Sequence, residues 1–131
     1  MIVVDTHIFI WDALYPDKLS KKAKIALDQA EQNNSLWLAD ISLWEVFMLV
    51  KRGRLNLSVS AAHFIDLAIQ ARSYQLQRMT ASIAEQSINF GSEINNDPAD
   101  RLIVATAKFL QADLVTADLN LQGCGLVKTI W

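Results

Sequence analysis

The chain has 131 residues, 52% of them hydrophobic, with 4 glycines and 2 prolines, which is the size and composition of one compact domain with a full core. A formal net charge of −2 argues against a general nucleic-acid-coating surface while leaving room for a local basic strip, and the single cysteine, Cys124, excludes an intramolecular disulfide and a cysteine-rich zinc site. Met1-Ile2-Val3-Val4 runs into Asp5 with no basic or long apolar leader, and no stretch approaches the roughly 20 apolar residues of a membrane span, so the expectation is a soluble cytoplasmic protein with no membrane partner.

Ile2-Val3-Val4 is short, β-branched and unpatterned, as expected of a central parallel strand buried on both faces, and it stops at Asp5-Thr6-His7. Ile8 through Leu14 has helical spacing. Tyr15-Pro16-Asp17 is a turn, and Ser20 then caps a helix to about Asn33 that turns Ile25, Leu27 and Ala30 inward. Leu36-Trp37-Leu38-Ala39 reads as a second strand. Ser42-Leu43-Trp44-Glu45 fits the S-x-x-E capping box and places the start of a third helix there, ahead of the apolar run Val46 to Val50. Lys51-Arg52-Gly53-Arg54 closes that helix with positive charge and a glycine, an ordinary solvated helix end that a phosphate could also contact.

Ser60 begins a fourth helix through about Tyr74, with Phe64, Leu67, Ala68 and Ala71 on its inner face. Leu76 to Met79 is a weak third strand, and Thr80 caps a helix to about Phe90. After a loop over Gly91 to Asn96, Asp97 sits where an N-cap belongs, Pro98 fits the first helical position and Asp100 falls in the first turn. Leu102, Ile103, Thr106, Ala107 and Leu110 form the inner stripe of this helix. Asp113 to Thr116 is a fourth strand that halts at Asp118, and Leu126 to Ile130 is a last one. Trp11, Trp37 and Trp44 read as core.

Strands alternating with helices in segments this short imply crossover connections and an α/β fold: a mostly parallel sheet of four to five strands, covered by helices on both faces. In such sheets ligands bind outside the carboxyl ends of the strands, where the strand order reverses. Asp5 and Asp118 each follow the carboxyl end of a predicted strand, while Glu45 and Asp100 lie in the first turns of helices that follow a strand or loop. Topology can therefore bring these four acids to one edge.

The blocks Asp5-Thr6-His7, Ser42-Leu43-Trp44-Glu45, Asp97-Pro98-Ala99-Asp100-Arg101-Leu102-Ile103 and Val115-Thr116-Ala117-Asp118, in this order and over this length, resemble a PIN-domain ribonuclease, and most closely the VapC-type toxin of a type II toxin–antitoxin pair. The resemblance spans the whole chain, 1–131, as a single three-layer α/β/α PIN domain. It puts the family's acidic quartet on Asp5, Glu45, Asp100 and Asp118. Asp97 is the rival for the third place, and Asp100 is preferred because it directly precedes the Arg-Leu-Ile run, leaving Asp97 as the cap. Asn95-Asn96 stand where the family often has a polar or basic pair, and Ala99 where it often has an aromatic. The resemblance further implies an RNA substrate, cleaved by in-line attack to leave a 5′-phosphate and a 3′-hydroxyl. It also implies a homodimer and a cognate VapB-type antitoxin that covers the acidic groove.

The chemistry agrees with that implication. Hydrolysing a phosphodiester requires water activated near neutral pH and stabilisation of charge on the phosphate and leaving oxygen, which hard divalent cations supply. Mg²⁺ or Mn²⁺ takes oxygen ligands, so Asp5 and Asp100 are expected as principal metal ligands, with Glu45 and Asp118 completing the shell of a second ion or orienting the attacking water. His7, His63 and Cys124 lack the clustering that zinc favours. Two carboxylates ~4 Å apart repel by roughly 4 kcal/mol at an effective dielectric of about 20, so a gathered quartet needs a cation within a fold stable by only about 5–15 kcal/mol.

Each acid also has a plainer reading. Asp97 is a cap, Glu45 alone is half a capping box, Asp118 begins a turn, and only Asp5, following Ile-Val-Val, must find a cation or donors. Thr6 and Thr116 either orient carboxylates or are satisfied strand-end hydroxyls. His7 reads as a packed or solvent-facing ring, and Arg101 either holds a phosphate or pairs with Asp97. Two other functions fit parts of the pattern. A response-receiver domain would also place acids at strand ends, but the chain lacks a D-x-D-G-T start and a late partner lysine. A catalytically idle RNA- or protein-binding module would not need all four acids.

Overall fold

Ile2 and Val4 of the first strand point into one apolar core together with Leu36, Leu38 and Val115, while Val3 between them points into a second core with Ala39 and Leu114. Alternate residues of a strand face opposite sides of a sheet, so three buried residues in a row require cover on both faces. The computed structural model describes residues Met1–Trp131 and supplies that cover. In chain order the elements are β1 (Ile2–Val4), α1 (Thr6–Leu14), a 3-10 turn over Pro16–Lys18, α2 (Lys21–Gln32), β2 (Leu36–Ala39), α3 (Ile41–Lys51), α4 (Ala61–Arg72), β3 (Gln75–Gln77), α5 (Ala81–Asn89), α6 (Pro98–Leu110), β4 (Asp113–Val115), α7 (Leu119–Gln122) and β5 (Thr129–Ile130). One core is filled by α1, α2, α3 and α4, the other by α6 and α7.

The sheet has five strands in the order β3-β2-β1-β4-β5, all parallel. From β1 the chain winds outward through β2 to β3, returns across the sheet, and winds the other way through β4 to β5. The reversal falls between β1 and β4, whose register pairs Val4 with Val115. No helix is long and apolar enough to cross a membrane.

Local chemistry starts most helices where the sequence predicts. Ser20, Ser60 and Thr80 accept from the backbone amides of Ala23, His63 and Ile83, each at 3.1 Å, and Asp97 accepts from Ala99 at 2.8 Å. Several expectations are corrected. Helix α3 begins at Ile41 after Asp40, one residue before Ser42, so Ser42 is no N-cap and the Ser42–Glu45 pair no capping box. Ile25 and Leu67 are 50% and 49% exposed, and Ala71 is exposed too; Ala23 and Ile65 take the inward places instead. Trp44 is 58% exposed, because α3 turns it to the outside, whereas Trp11 and Trp37 pack half-buried against the two cores. The third strand lies at Gln75–Gln77 rather than from Leu76 to Met79, and the last is confined to Thr129–Ile130, with α7 intervening after Asp118.

Candidate active site

Because Val4 is level with Val115, the residues that follow them leave the sheet together: the Asp5 amide donates to Val115 O at 2.9 Å, and Thr116 Oγ1 donates to Asp5 Oδ2 at 2.8 Å. The other Asp5 oxygen accepts from the Thr6 amide at 2.7 Å, which makes Asp5 the N-cap of α1 as well. Thr116 is therefore a positioning group for Asp5. Its hydroxyl also accepts from the Asp118 amide at 3.1 Å, setting the turn on which Asp118 sits. Asp118 in turn caps α7, accepting from Asn120 at 2.8 Å.

Helices α3 and α6 bring the other acids. Thr6 Oγ1 donates to Glu45 Oε1 and lies 2.8 Å from Ser42 Oγ, so the two residues of the supposed capping box instead bind α3 to α1. Asp100 Oδ2 accepts from Asn95 Nδ2 at 2.9 Å, and the same amide reaches Asn120 Oδ1 at 3.0 Å, linking the α6 entry to α7. Asp97, though exposed, caps α6 and also lines the cavity. Asp5, Glu45, Asp97, Asp100 and Asp118 together line one cavity of about 310 Å³ with His7, Trp11 and Ala117. All four expected residues line this cavity, and the rival Asp97 is a cap and a cavity residue at once.

The electrostatics show a site short of positive charge. Burial, opposed by the hydrogen bond from Thr6 and reinforced by Asp5, Asp100 and Asp97, pushes Glu45 up to about 7. Asp100 rises to about 6, through burial first and then through Asp5, Asp97 and Asp118, against the bond from Asn95. Asp5, only 7% exposed, is also raised by burial, against its Thr116 bond and the nearby His7. No lysine or arginine pairs with any of the five acids. The contrast lies elsewhere in the same chain, where Asp12, Asp28 and Glu31 gather around Arg72 and carry their own cation.

Glu45 Oε2, Asp97 Oδ2, Asp100 Oδ1 and Asp118 Oδ2 accept no hydrogen bond from the protein. These free oxygens belong to carboxylates, a donor set that suits a hard divalent cation. No three Asp, Glu, His or Cys side chains stand close enough to form a ready-made cage. Mg²⁺ fits such a loose set, since it keeps several waters and takes only one or two carboxylates directly.

Arg101 does not pair with Asp97. It donates to the carbonyls of Ser87 at 2.8 Å and Asn95 at 3.1 Å, and to that of Phe90, so it closes the end of α5 and the following loop. Sequence spacing alone puts Ser42 in a capping box and misses its contact with Thr6, along with Asn120 and the double role of Asn95. A polar residue at an otherwise apolar helix position, as Ser42 is between Ile41 and Leu43, was the available signal.

The model of the PIN domain family matches residues 2–123. This chain belongs to the PIN-domain family. Within the family it is of the VapC type: it is 32% identical over 122 residues to Ribonuclease VapC22 of Mycobacterium tuberculosis, covering 92% of this chain and 89% of that one. Solved structures extend the likeness of the PIN fold. VapBC2 from Rickettsia felis, bound to a DNA fragment from its promoter, superposes with a TM-score of 0.74 at 17% identity, covering 98% of this chain and 97% of the other. FitAcB from Neisseria gonorrhoeae gives 0.69 at 19% identity, with 98% and 96% covered. The PIN sheet thus accounts for the site: both strands flanking the reversal end in side chains that open onto the cavity.

Proposed function

We propose that the chain is a Mg²⁺- or Mn²⁺-dependent endoribonuclease, acting through Asp5, Glu45, Asp100 and Asp118, and that it serves as the toxin of a type II toxin–antitoxin pair. The observation that carries this reading is the set of acids from four separate parts of the chain lining one cavity with no basic partner. Asp5 and Asp100, with Glu45 and Asp118, would hold a divalent ion there, which would supply activation of water and neutralisation of charge on a phosphodiester. Asp5, held by Thr116 and Thr6, and Asp100, held by Asn95, would be the principal ligands. Glu45, with a proton affinity poised near neutrality, is suited to hold or pass a proton at Oε2.

Residues 1–131 act as a single PIN domain in this reading, in the cytoplasm and as a homodimer. RNA is the substrate, following the ribonuclease name of the 32%-identical relative. A VapB-type antitoxin is the partner, following the VapBC and FitAcB neighbours, and a basic side chain placed near the carboxylates would compete with the ion for the same charge. The test incubates purified protein with total RNA in Mn²⁺, in EDTA, and as Asp5→Asn. Cleavage in Mn²⁺ that is lost in both other arms is expected. Cleavage that survives chelation defeats the metal mechanism, and binding without cleavage identifies an idle module.

A further inference from the structure

A second cavity, of about 420 Å³, opens beside the acidic one, and the two share His7 and Trp11 as a common wall. Its chemistry is the reverse of its neighbour's. The floor is apolar, made by the buried side chains of Ile10, Leu49 and Leu55, and the rim carries Tyr15, Lys18, Arg54 and Asn56 with no acid among the lining residues. Neither Lys18 nor Arg54 forms an ion pair. Lys18 is nonetheless held in place, its Nζ lying 4.9 Å from the centre of the Tyr15 ring and 5.5 Å from that of Trp11. Tyr15 caps the C-terminus of α1 four positions after Trp11, and the 3-10 turn folds Lys18 back over both.

Resting on the ribonuclease reading of the adjoining cavity, we propose that this second cavity is a nucleotide subsite. It takes the residue of single-stranded RNA next to the scissile phosphate, with a backbone phosphate on Lys18 and Arg54 and the base laid over the apolar floor beside Tyr15. A strand approaching the acidic cavity alone is repelled by five carboxylates. Two unpaired cations on the rim of the neighbouring cavity give it an anchor that does not depend on a divalent ion. A pocket of this size with an apolar floor and a few polar groups at its rim suits one small planar ligand. An acidic peptide would use the cations but leave the floor unused, which separates the two occupants experimentally.

The experiment measures binding of a fluorescein-labelled single-stranded RNA oligonucleotide by anisotropy, in EDTA, over a series of salt concentrations. Wild type is compared with the double variant Lys18→Gln, Arg54→Gln, whose exposed positions leave the fold intact by circular dichroism. The expected result is a roughly tenfold rise in Kd and a salt slope shallower by about 0.7, the value for one lost single-strand phosphate contact. An oligonucleotide of abasic residues should bind wild type several-fold more weakly, and poly-glutamate of equal charge should compete poorly. Unchanged Kd and slope in the double variant overturn the subsite, as does equal competition by poly-glutamate. If the subsite fails while wild type still cleaves RNA in Mn²⁺, the ribonuclease reading stands alone. Pocket-dependent binding by a wild type that cleaves nothing supports the subsite and removes the nuclease.

Discussion

Thr6 donates its hydroxyl to Glu45, 39 positions away in the chain, and the same oxygen lies 2.8 Å from Ser42 Oγ. One side chain thereby sets the angle between α1 and α3 and orients a candidate catalytic acid. Thr6→Val keeps the shape and removes both bonds. A loss of about 1–3 kcal/mol in denaturant unfolding is expected, since Ser42 is fully buried and loses its partner. The Thr6 bond lowers the Glu45 pKa, so its loss should move Glu45 above about 7 and shift the pH profile of cleavage to more basic values. Thr6→Ser should restore the wild-type profile; a profile identical in Thr6→Val would show that Glu45 takes no part in proton transfer.

The raised acids also make stability depend on pH in an unusual direction. Glu45 at about 7 and Asp100 at about 6 lie above the 4.5 and 3.8 of the free groups, so between about 4 and 7 the folded state holds more protons than the unfolded one. Stability from these groups is therefore highest at the acid end of that window and falls as pH rises through 6 to 7. Thermal melts without divalent ions should show a Tm several degrees higher near pH 5 than near pH 8, and Glu45→Gln should flatten the difference. A Tm that climbs steadily from pH 5 to 8 would contradict the shared field of the acids.

The fold was legible because the pattern that encodes it is local. Ile2-Val3-Val4 and Leu36 to Ala39 are short apolar runs, Ser20, Ser60 and Thr80 are caps, and each appears in the structure where the sequence places it. Asp5 and Asp118 could be assigned to one edge because parallel strands all end there. What could not be read depends on pairs far apart in sequence. Ser42 and Glu45 have the spacing of a capping box, and only the packing of α3 against α1 shows that both serve Thr6 instead. Leu67 and Trp44 are large and apolar but face outward, because which side of a helix meets the sheet is decided by the neighbouring helices.

Divalent ions should reverse the pH effect by replacing the missing cation. At 100 times its Kd a ligand stabilises the folded state by about 2.7 kcal/mol, so saturating Mn²⁺ at pH 8 should raise Tm by several degrees. Asp100→Asn removes one negative charge from a field that Asp5, Asp97 and Asp118 already make unfavourable. The variant should melt higher than wild type without metal and respond less to Mn²⁺. These two changes have opposite signs, which distinguishes a ligand from an ordinary structural acid, whose loss would lower the metal-free Tm and leave the response to Mn²⁺ unchanged.

Arg101 sits beside Asp100 in sequence, yet its guanidinium is engaged entirely with main-chain carbonyls. Nε meets Ser87 O at 2.8 Å, Nη1 meets Asn95 O at 3.1 Å, and Nη2 meets Phe90 O, with the Phe90 ring centre 6.0 Å from Cζ. A cation at the end of α5 is favoured by the helix dipole, and the fork satisfies carbonyls that the loop leaves without partners. Arg101→Met should cost about 2–4 kcal/mol and speed hydrogen exchange through residues 88–95. Because Asn95 orients Asp100 through its side chain, the loosened loop should also lower cleavage. The salt dependence of RNA binding should stay as in wild type, since the group is already occupied; a shallower slope would return Arg101 to the phosphate.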